Sequence, residues 1–422
     1  MMNSRERVKR TLNHQLPDRV PLDLGSSSTT GMHASSVYLL RQAFKLDPPG
    51  TPVKVIDPYS FLGEIRPDLA DALGVDVVGL LAPRTKFGFR NENWKPWTFF
   101  DGTPLLVPEA FNTEPEADGS ILQYPEGDRS APPSAKMPYG GYYFDAIIRQ
   151  PPIDEAKLDP LDNLQEFGPI SPADLAYFEQ EAARLYRQTD RAILANFGGT
   201  AFGDIGLVPV PGIKQPRGIR DVAEWYMSLS TRQDYVYKVF EAQCAIGLAN
   251  LAKIYQVVGS RVTAIFATGT DFGAQNGPFI SPRTYRELFM PFHRQVNQWI
   301  HAHTPWKSFI HSCGSVVQLI PDFIEAGFDI LNPLQTSAAG MDPQALKDRF
   351  GELLVFWGGG VDTQKTLPFG TPDEIRAEVG ERMRILGKGG GFVFNTIHNV
   401  QARIPAENLV ALYQAVADYR GG

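Results

Sequence analysis

A chain of 422 residues, 43% hydrophobic and 21% charged, has the material for one large core or two smaller ones. A net charge of −7 gives no basic footprint for nucleic acid or an anionic membrane surface, so neither is an expected partner. Two cysteines, Cys244 and Cys313, are too few for a disulfide framework and fit a reducing compartment.

The first residues, Met1-Met2-Asn3-Ser4-Arg5-Glu6-Arg7-Val8-Lys9-Arg10, are charged and lack an apolar stretch, so no signal peptide is expected. No apolar run approaches the ~20 residues of a membrane span. A cytoplasmic location is the resulting expectation.

Eight short apolar runs read as buried strands: residues 20–24, 75–80, 192–199, 262–270, 307–314, 328–334, 353–360 and 391–398. Helical patterns fill most of the gaps. Ser171-Pro172, Ser281-Pro282 and Thr371-Pro372 each place an N-cap before a proline at the first helical position. Residues 232–255, 282–303, 371–386 and 405–419 then repeat apolar side chains every three or four positions. Strand-then-helix alternation predicts a parallel sheet, and eight such units predict an α/β fold of the closed (β/α)8 TIM-barrel type in a single domain. An open doubly wound sheet competes, but no Gly-x-Gly-x-x-Gly follows an early strand to support it.

Residues 91–152 break the alternation. They are rich in aromatics, proline and glycine (Trp94-Lys95-Pro96-Trp97, Pro138-Tyr139-Gly140-Gly141-Tyr142-Tyr143), a pattern of short strands and turns. An antiparallel β-rich insertion at the mouth of the active site is predicted, with a structural or homodimer-forming excursion as the competing reading. A second long loop, 203–217, has the glycines and prolines of a lid.

Chemistry in such a fold sits where strands end. There the chain places Asp23, Asn196, Asp271, Gln275, His311, Cys313, Asn332, Gln335, Asp362, Asn395 and His398. A thiol and two imidazoles are donors that suit zinc and leave a fourth position open, so His311, Cys313 and His398 are the predicted metal ligands. Asp271 and Gln275 are the predicted catalytic pair that orients the acceptor. Asp23, Asn196, Asn332, Gln335, Asp362 and Asn395 are the predicted substrate-binding rim. Each has a plainer reading: Cys313 as a small hydrophobe, His398 as a hydrogen bonder, Asp271 as a helix support, Asp362 as a cap. His293, His301 and His303 read as packing or solvent-facing residues of one helix.

Motifs then carry a resemblance. Pro17-Asp18-Arg19-Val20-Pro21-Leu22-Asp23, Thr270-Asp271-Phe272-Gly273-Ala274-Gln275, His311-Ser312-Cys313-Gly314, Gly359-Gly360-Val361-Asp362-Thr363 and Ile404-Pro405-Ala406-Glu407-Asn408-Leu409 resemble the uroporphyrinogen decarboxylase superfamily. The His-x-Cys-Gly element is similar to its non-decarboxylase branch, the cobamide-dependent methyltransferases. That resemblance implies a methyl group moved between a methyl-corrinoid on a partner protein and a thiol or tetrahydrofolate acceptor. It also implies a zinc that lowers the pKa of the acceptor thiol. His311 and Cys313 match the first two ligands of the thiol-using members. Where those members have Gly-Cys before the Pro-x-Glu-Asn helix start, this chain has Ile397-His398. A neutral imidazole in place of a thiolate leaves the metal one unit more positive, which favours oxygen ligands as much as sulfur. A metal-assisted lyase, decarboxylase or hydrolase acting on a small oxygenated substrate without corrinoid is therefore the alternative. The decarboxylases proper carry an arginine-bearing Met-Arg-Gln-Ala-Gly-Arg-Tyr element and an aspartate for the pyrrole nitrogens. Here those regions read Leu24-Gly25-Ser26-Ser27-Ser28-Thr29-Thr30 and Val78-Gly79-Leu80-Leu81, which argues against porphyrinogen decarboxylation.

Overall fold

The fold was obtained as a computed structural model, which describes residues 2–421. Its centre is a curled sheet of seven parallel strands, Val77–Leu80, Ala192–Ala195, Ala264–Thr268, Lys307–His311, Ile330–Asn332, Val355–Trp357 and Phe392–Val393, each hydrogen-bonded to its neighbours in sequence. Helices follow most strands, and they begin where the sequence places caps. Ser171 Oγ accepts from the Asp174 N–H, Ser281 Oγ from the Thr284 N–H, and Thr371 forms a reciprocal capping box with Glu374.

The strands are shorter than their apolar runs, because several runs continue into the loops above the sheet. The first run differs most. Residues 20–24 form one parallel bridge, Leu22↔Phe394, in place of a strand. Their backbone nevertheless reaches both edges of the sheet. The Asp23 N–H donates to Phe394 O and the Phe394 N–H to Pro21 O, while the Asp76 N–H donates to Leu22 O. The Asp76 carboxylate holds this segment from the side, accepting from the Leu22 N–H and from Arg7 and Arg19.

Strand periodicity sorts the side chains into two layers. Ile193, Ile310, Leu331 and Phe356 point outward into the large core beneath the helices. Leu194, Phe309, Ile330, Val355, Trp357 and Val393 point inward, where Val8 and Leu12 of the first helix, Ser4–Leu12, plug one end of the curl. His311 and Asn332 share the inward parity at the opposite end, with the Phe266 ring stacked beneath His311. The apolar plug closes the bottom, and the polar His311 and Asn332 stand at the top.

Two small sheets lie outside this frame. Glu114–Pro115, Ile121–Gln123, Ala135–Met137 and Asp145–Ala146 form an antiparallel meander within residues 91–152. Lys95–Thr98 and Pro104–Val107 form a hairpin that also recruits Val53–Asp57 and Leu62–Gly63. The β-rich region therefore begins near Val53, well before residue 91. Among the described residues, no helix is long and apolar enough to cross a membrane.

Candidate metal centre and its cavity

His311 is the last residue of the Lys307–His311 strand and is buried. The chain then leaves the ladder. The Ser312 N–H still bonds to Asn332 O, but the Cys313 N–H turns to the Asp271 carboxylate at 2.6 Å. Asp271 thus holds Cys313 just beyond the strand, whereas the sequence pattern puts His311 and Cys313 on one strand. Cys313 Sγ lies 3.3 Å from His311 Nε2. His398 comes from the loop after Phe392–Val393, its ring 5.4 Å from that of His311 and steeply inclined to it. Ligand atoms of His311, Cys313 and His398 all lie within 4.8 Å of one another.

The donors are set for a cation. Asn332 Nδ2 donates to Trp357 O, so its Oδ1 faces His311 Nδ1 at 2.5 Å and can only accept. His311 therefore carries its proton on Nδ1 and keeps a lone pair on Nε2. Asn399 acts alike: its Nδ2 donates to Ser28 O, and its Oδ1 lies 2.8 Å from His398 Nδ1. Both imidazoles then present Nε2 as a ligand, each oriented by a side-chain amide. The 3.3 Å between sulfur and nitrogen is close to the ~3.5 Å that usual zinc bond lengths give two tetrahedral ligands. One thiol and two imidazoles with free lone pairs fit zinc.

Electrostatics agree. Burial pushes His311 down to about 4 and also lowers His398, so both stay neutral, the form that binds metal. Burial and the nearby Asp271 carboxylate push the Cys313 thiol well up, so it holds its proton until a cation displaces it.

The group opens into a cavity of ≈ 760 Å³ lined by Asn196, Asp204, Asp271, His311, His398 and Asn399, among others. Tyr143 and Asp145 of the insertion line it too, as do residues 204–207 of the 203–217 loop. Not every predicted residue reaches it. Asn332 stands behind His311. Gln335 Oε1 accepts the Gly314 N–H and its Nε2 donates to Gln275, whose amide also donates to Ser337 O. This pair braces the Cys313 loop. Asp23 and Asn395 are buried below the cavity: Asp23 accepts from Trp357 Nε1 and Ser26, and Asn395 donates to Asp23 O. Asp362 lies elsewhere and caps the Gln364 and Lys365 N–H groups. Of the remaining histidines on the long helix, His293 is buried while His301 and His303 are exposed.

The cavity residues that escaped the sequence reading include Lys86, Asp204 and Ser28. Lys86 follows the Val77–Leu80 strand closely enough that the strand-end rule would have found it. Asp204 sits in the long loop, where burial pushes its carboxyl up to about 6 despite the opposing pull of Lys86.

Residues 218–419 match the uroporphyrinogen decarboxylase (URO-D) family. Four of the five motifs that carry the resemblance, from Thr270 to Leu409, fall inside the matched residues. The uroporphyrinogen decarboxylase of Psychromonas ingrahamii is 26% identical over 145 residues, 33% of this chain and 38% of that protein. The uroporphyrinogen decarboxylase of Pelodictyon phaeoclathratiforme is 25% identical over 194 residues, 44% of this chain and 52% of that protein. The similarity thus spans about half or less of the length of these curated relatives. Over nearly the whole length, a methyltransferase from Methanosarcina mazei shares the fold across 99% of both chains, with a TM-score of 0.54 at 15% identity.

Proposed function

We propose that this URO-D-like chain is a zinc-dependent methyltransferase that moves a methyl group between a corrinoid protein and a thiol or folate acceptor. The observation that carries the proposal is the convergence of His311, Cys313 and His398 within 4.8 Å at the open end of the sheet. The likeness in fold to the Methanosarcina mazei methyltransferase supports it. So does the lack, in the 24–30 loop, of the arginines that a polycarboxylate substrate needs.

Bound there, zinc would hold an acceptor sulfur as its thiolate and keep one position open for it. The chain's own residues do the rest. Nε2 of His311 and of His398 and Sγ of Cys313 would be the ligands, and the Cys313 proton is released on binding. Asp271 fixes the Cys313 backbone and sets a carboxylate 3.8 Å from His311 Nε2. Gln275, through Gln335, keeps the Gly314 turn in place. The reading takes residues 20–24 as the eighth position of a closed barrel. It places the methyl donor at the mouth, beneath the β-rich insertion.

The alternative, a corrinoid-independent lyase or hydrolase, uses the same ligands, so metal content comes first. Protein purified without chelator or affinity metal is expected to hold about one zinc per chain, lost in Cys313→Ala. A metal-free wild type overturns the proposal. A zinc protein that never exchanges methyl groups with methyl-cobalamin moves the assignment to the alternative.

A further inference from the structure

A second, smaller chamber opens beside the large cavity. Its volume is ≈ 160 Å³, and it shares Ser28, Lys86 and Asn196 with its neighbour. A short hairpin after the Val77–Leu80 strand builds one wall: the Thr85 N–H donates to Phe89 O, and Arg84 bridges to Arg90. That hairpin presents Arg84, Thr85 and Lys86 in succession. The Gly25–Gly31 turn supplies Ser27 and Ser28 opposite, and Asn91 closes the side.

The wall is incompletely satisfied. Arg84 spends one guanidinium donor on Gly88 O and has no carboxylate within 4 Å among the described residues. Lys86 likewise has no ion pair there; its ammonium stands over the Tyr59 ring, 4.6 Å from the centroid. Thr85 Oγ1 and Asn91 Oδ1 are buried without hydrogen-bond partners. The one acid of the chamber, Asp57, accepts from the Tyr59 and Ser60 N–H groups through Oδ1, and against it Arg84 and Lys86 leave the chamber one net positive charge. Two cations with no carboxylate within 4 Å and an idle hydroxyl form a set that attracts an oxyanion. A lone acceptor, Asn91 Oδ1, wants a donor. A ligand that engages these buried polar atoms supplies the partners the protein itself does not.

We propose that this chamber is an oxyanion subsite, formed by Arg84, Lys86, Thr85 and Asn91, that anchors the charged end of the substrate or acceptor while its reactive end faces His311, Cys313 and His398. The ligand is a small molecule whose anionic group stands next to an O–H or N–H donor, a hydroxycarboxylate or a phosphate monoester. Lys86 belongs to both chambers, and its charge is felt at Asp204, His311 and His398, which places the anchor within electrostatic reach of the metal ligands. The role assigned here rests on the reading of the large cavity as the active site. The anion binding itself does not.

Isothermal titration of full-length wild type, Lys86→Gln, Arg84→Gln and Cys313→Ala with inorganic phosphate, sulfate and glycolate tests it. Phosphate or glycolate should bind the wild type, and each cation variant should weaken that by about tenfold or more. Sulfate, which has no O–H for Asn91, should bind more weakly than phosphate. Cys313→Ala should bind the anion as the wild type does, which separates this subsite from the fate of the zinc reading. Tighter phosphate assigns a phosphate monoester, and tighter glycolate a hydroxycarboxylate. No binding at tens of millimolar, or affinities unchanged in both cation variants, overturns the subsite. Arg84 is exposed, so Arg84→Gln keeps the test valid should Lys86→Gln fold poorly.

Discussion

Asn332 Oδ1 lies 2.5 Å from His311 Nδ1, and this one contact decides which imidazole nitrogen is free to bind a metal. The amide cannot turn round, because its Nδ2 is spent on Trp357 O. Asn332→Leu removes the acceptor and frees the ring to rotate or change tautomer. The expected outcome is zinc affinity down by about 10–100-fold, as is usual when such an orienting partner is lost. Competition with a chromogenic chelator measures it. Affinity equal to wild type would mean that the imidazole is held by packing against Phe266 alone.

Gly314 meets Gly273 where two loops cross. A Cβ on Gly314 would sit 2.3 Å from Gly273 O, and its φ of +84° is one that side chains avoid. The obstacle is backbone, so neither loop can yield cheaply. Gly314→Ala is expected to destabilise by at least about 2 kcal/mol and to displace Cys313 from its Asp271 bond. Urea denaturation and zinc stoichiometry on the same preparation check both effects. Full stability with one zinc would refute the crossing as drawn.

These contacts also mark where sequence reading ran out. Helix starts were legible because caps are local: Ser171, Ser281 and Thr371 each bond three residues ahead. His311, Cys313 and His398 were legible because few residue types bind metal and all three sit at the ends of apolar runs. The strand ends were less so. Apolarity continues past His311, but the backbone leaves the ladder for Asp271, a partner 42 residues away. Asp23, Asn395 and Asp362 looked like rim residues for the same reason, and only three-dimensional packing reveals that the first two lie beneath the cavity and the third caps a turn. Asn332 stands out in the sequence by its strand-end position, but neither its role in orienting His311 nor that of Asn399 in orienting His398 has a signature in a single sequence.

Asp76 shows how the 20–24 segment is held without forming a strand. Its buried carboxylate accepts from Arg7 at 2.7 Å, Arg19 at 2.8 Å, Ser4 Oγ at 2.8 Å and the Leu22 N–H at 3.0 Å. Asp76→Ala would strand the nearly buried Arg7 guanidinium with Asp18 as its remaining carboxylate and loosen the segment that touches both sheet edges. A loss of about 3–5 kcal/mol is expected, the scale for removing one side of a buried ion pair. Thermal and urea unfolding measure it. A loss below about 1 kcal/mol would show that backbone bonds alone hold 20–24.

Acid sensitivity should trace to His293. Its ring is buried among Phe202, Phe272, Phe289 and Phe328, with Nδ1 on the Tyr285 hydroxyl and Nε2 unpartnered. Burial pushes its pKa down from 6.5 to about 3, so the folded state keeps it neutral while the unfolded chain protonates near 6.5. The sign follows from linkage. Between those values the unfolded state binds the extra proton, so this contribution is complete above pH 6.5 and is lost as pH falls toward 3. The slope is at most about 1.4 kcal/mol per pH unit for this one group. His33 and His311, each lowered to about 4 by burial, add parallel losses over their own narrower window. His293→Phe gives up the Tyr285 bond and should cost about 1 kcal/mol at pH 7. Its stability should nevertheless fall less steeply than wild type between pH 6.5 and 5. Urea midpoints at pH 7, 6 and 5 for both proteins decide it, because parallel lines would move the acid sensitivity to another group.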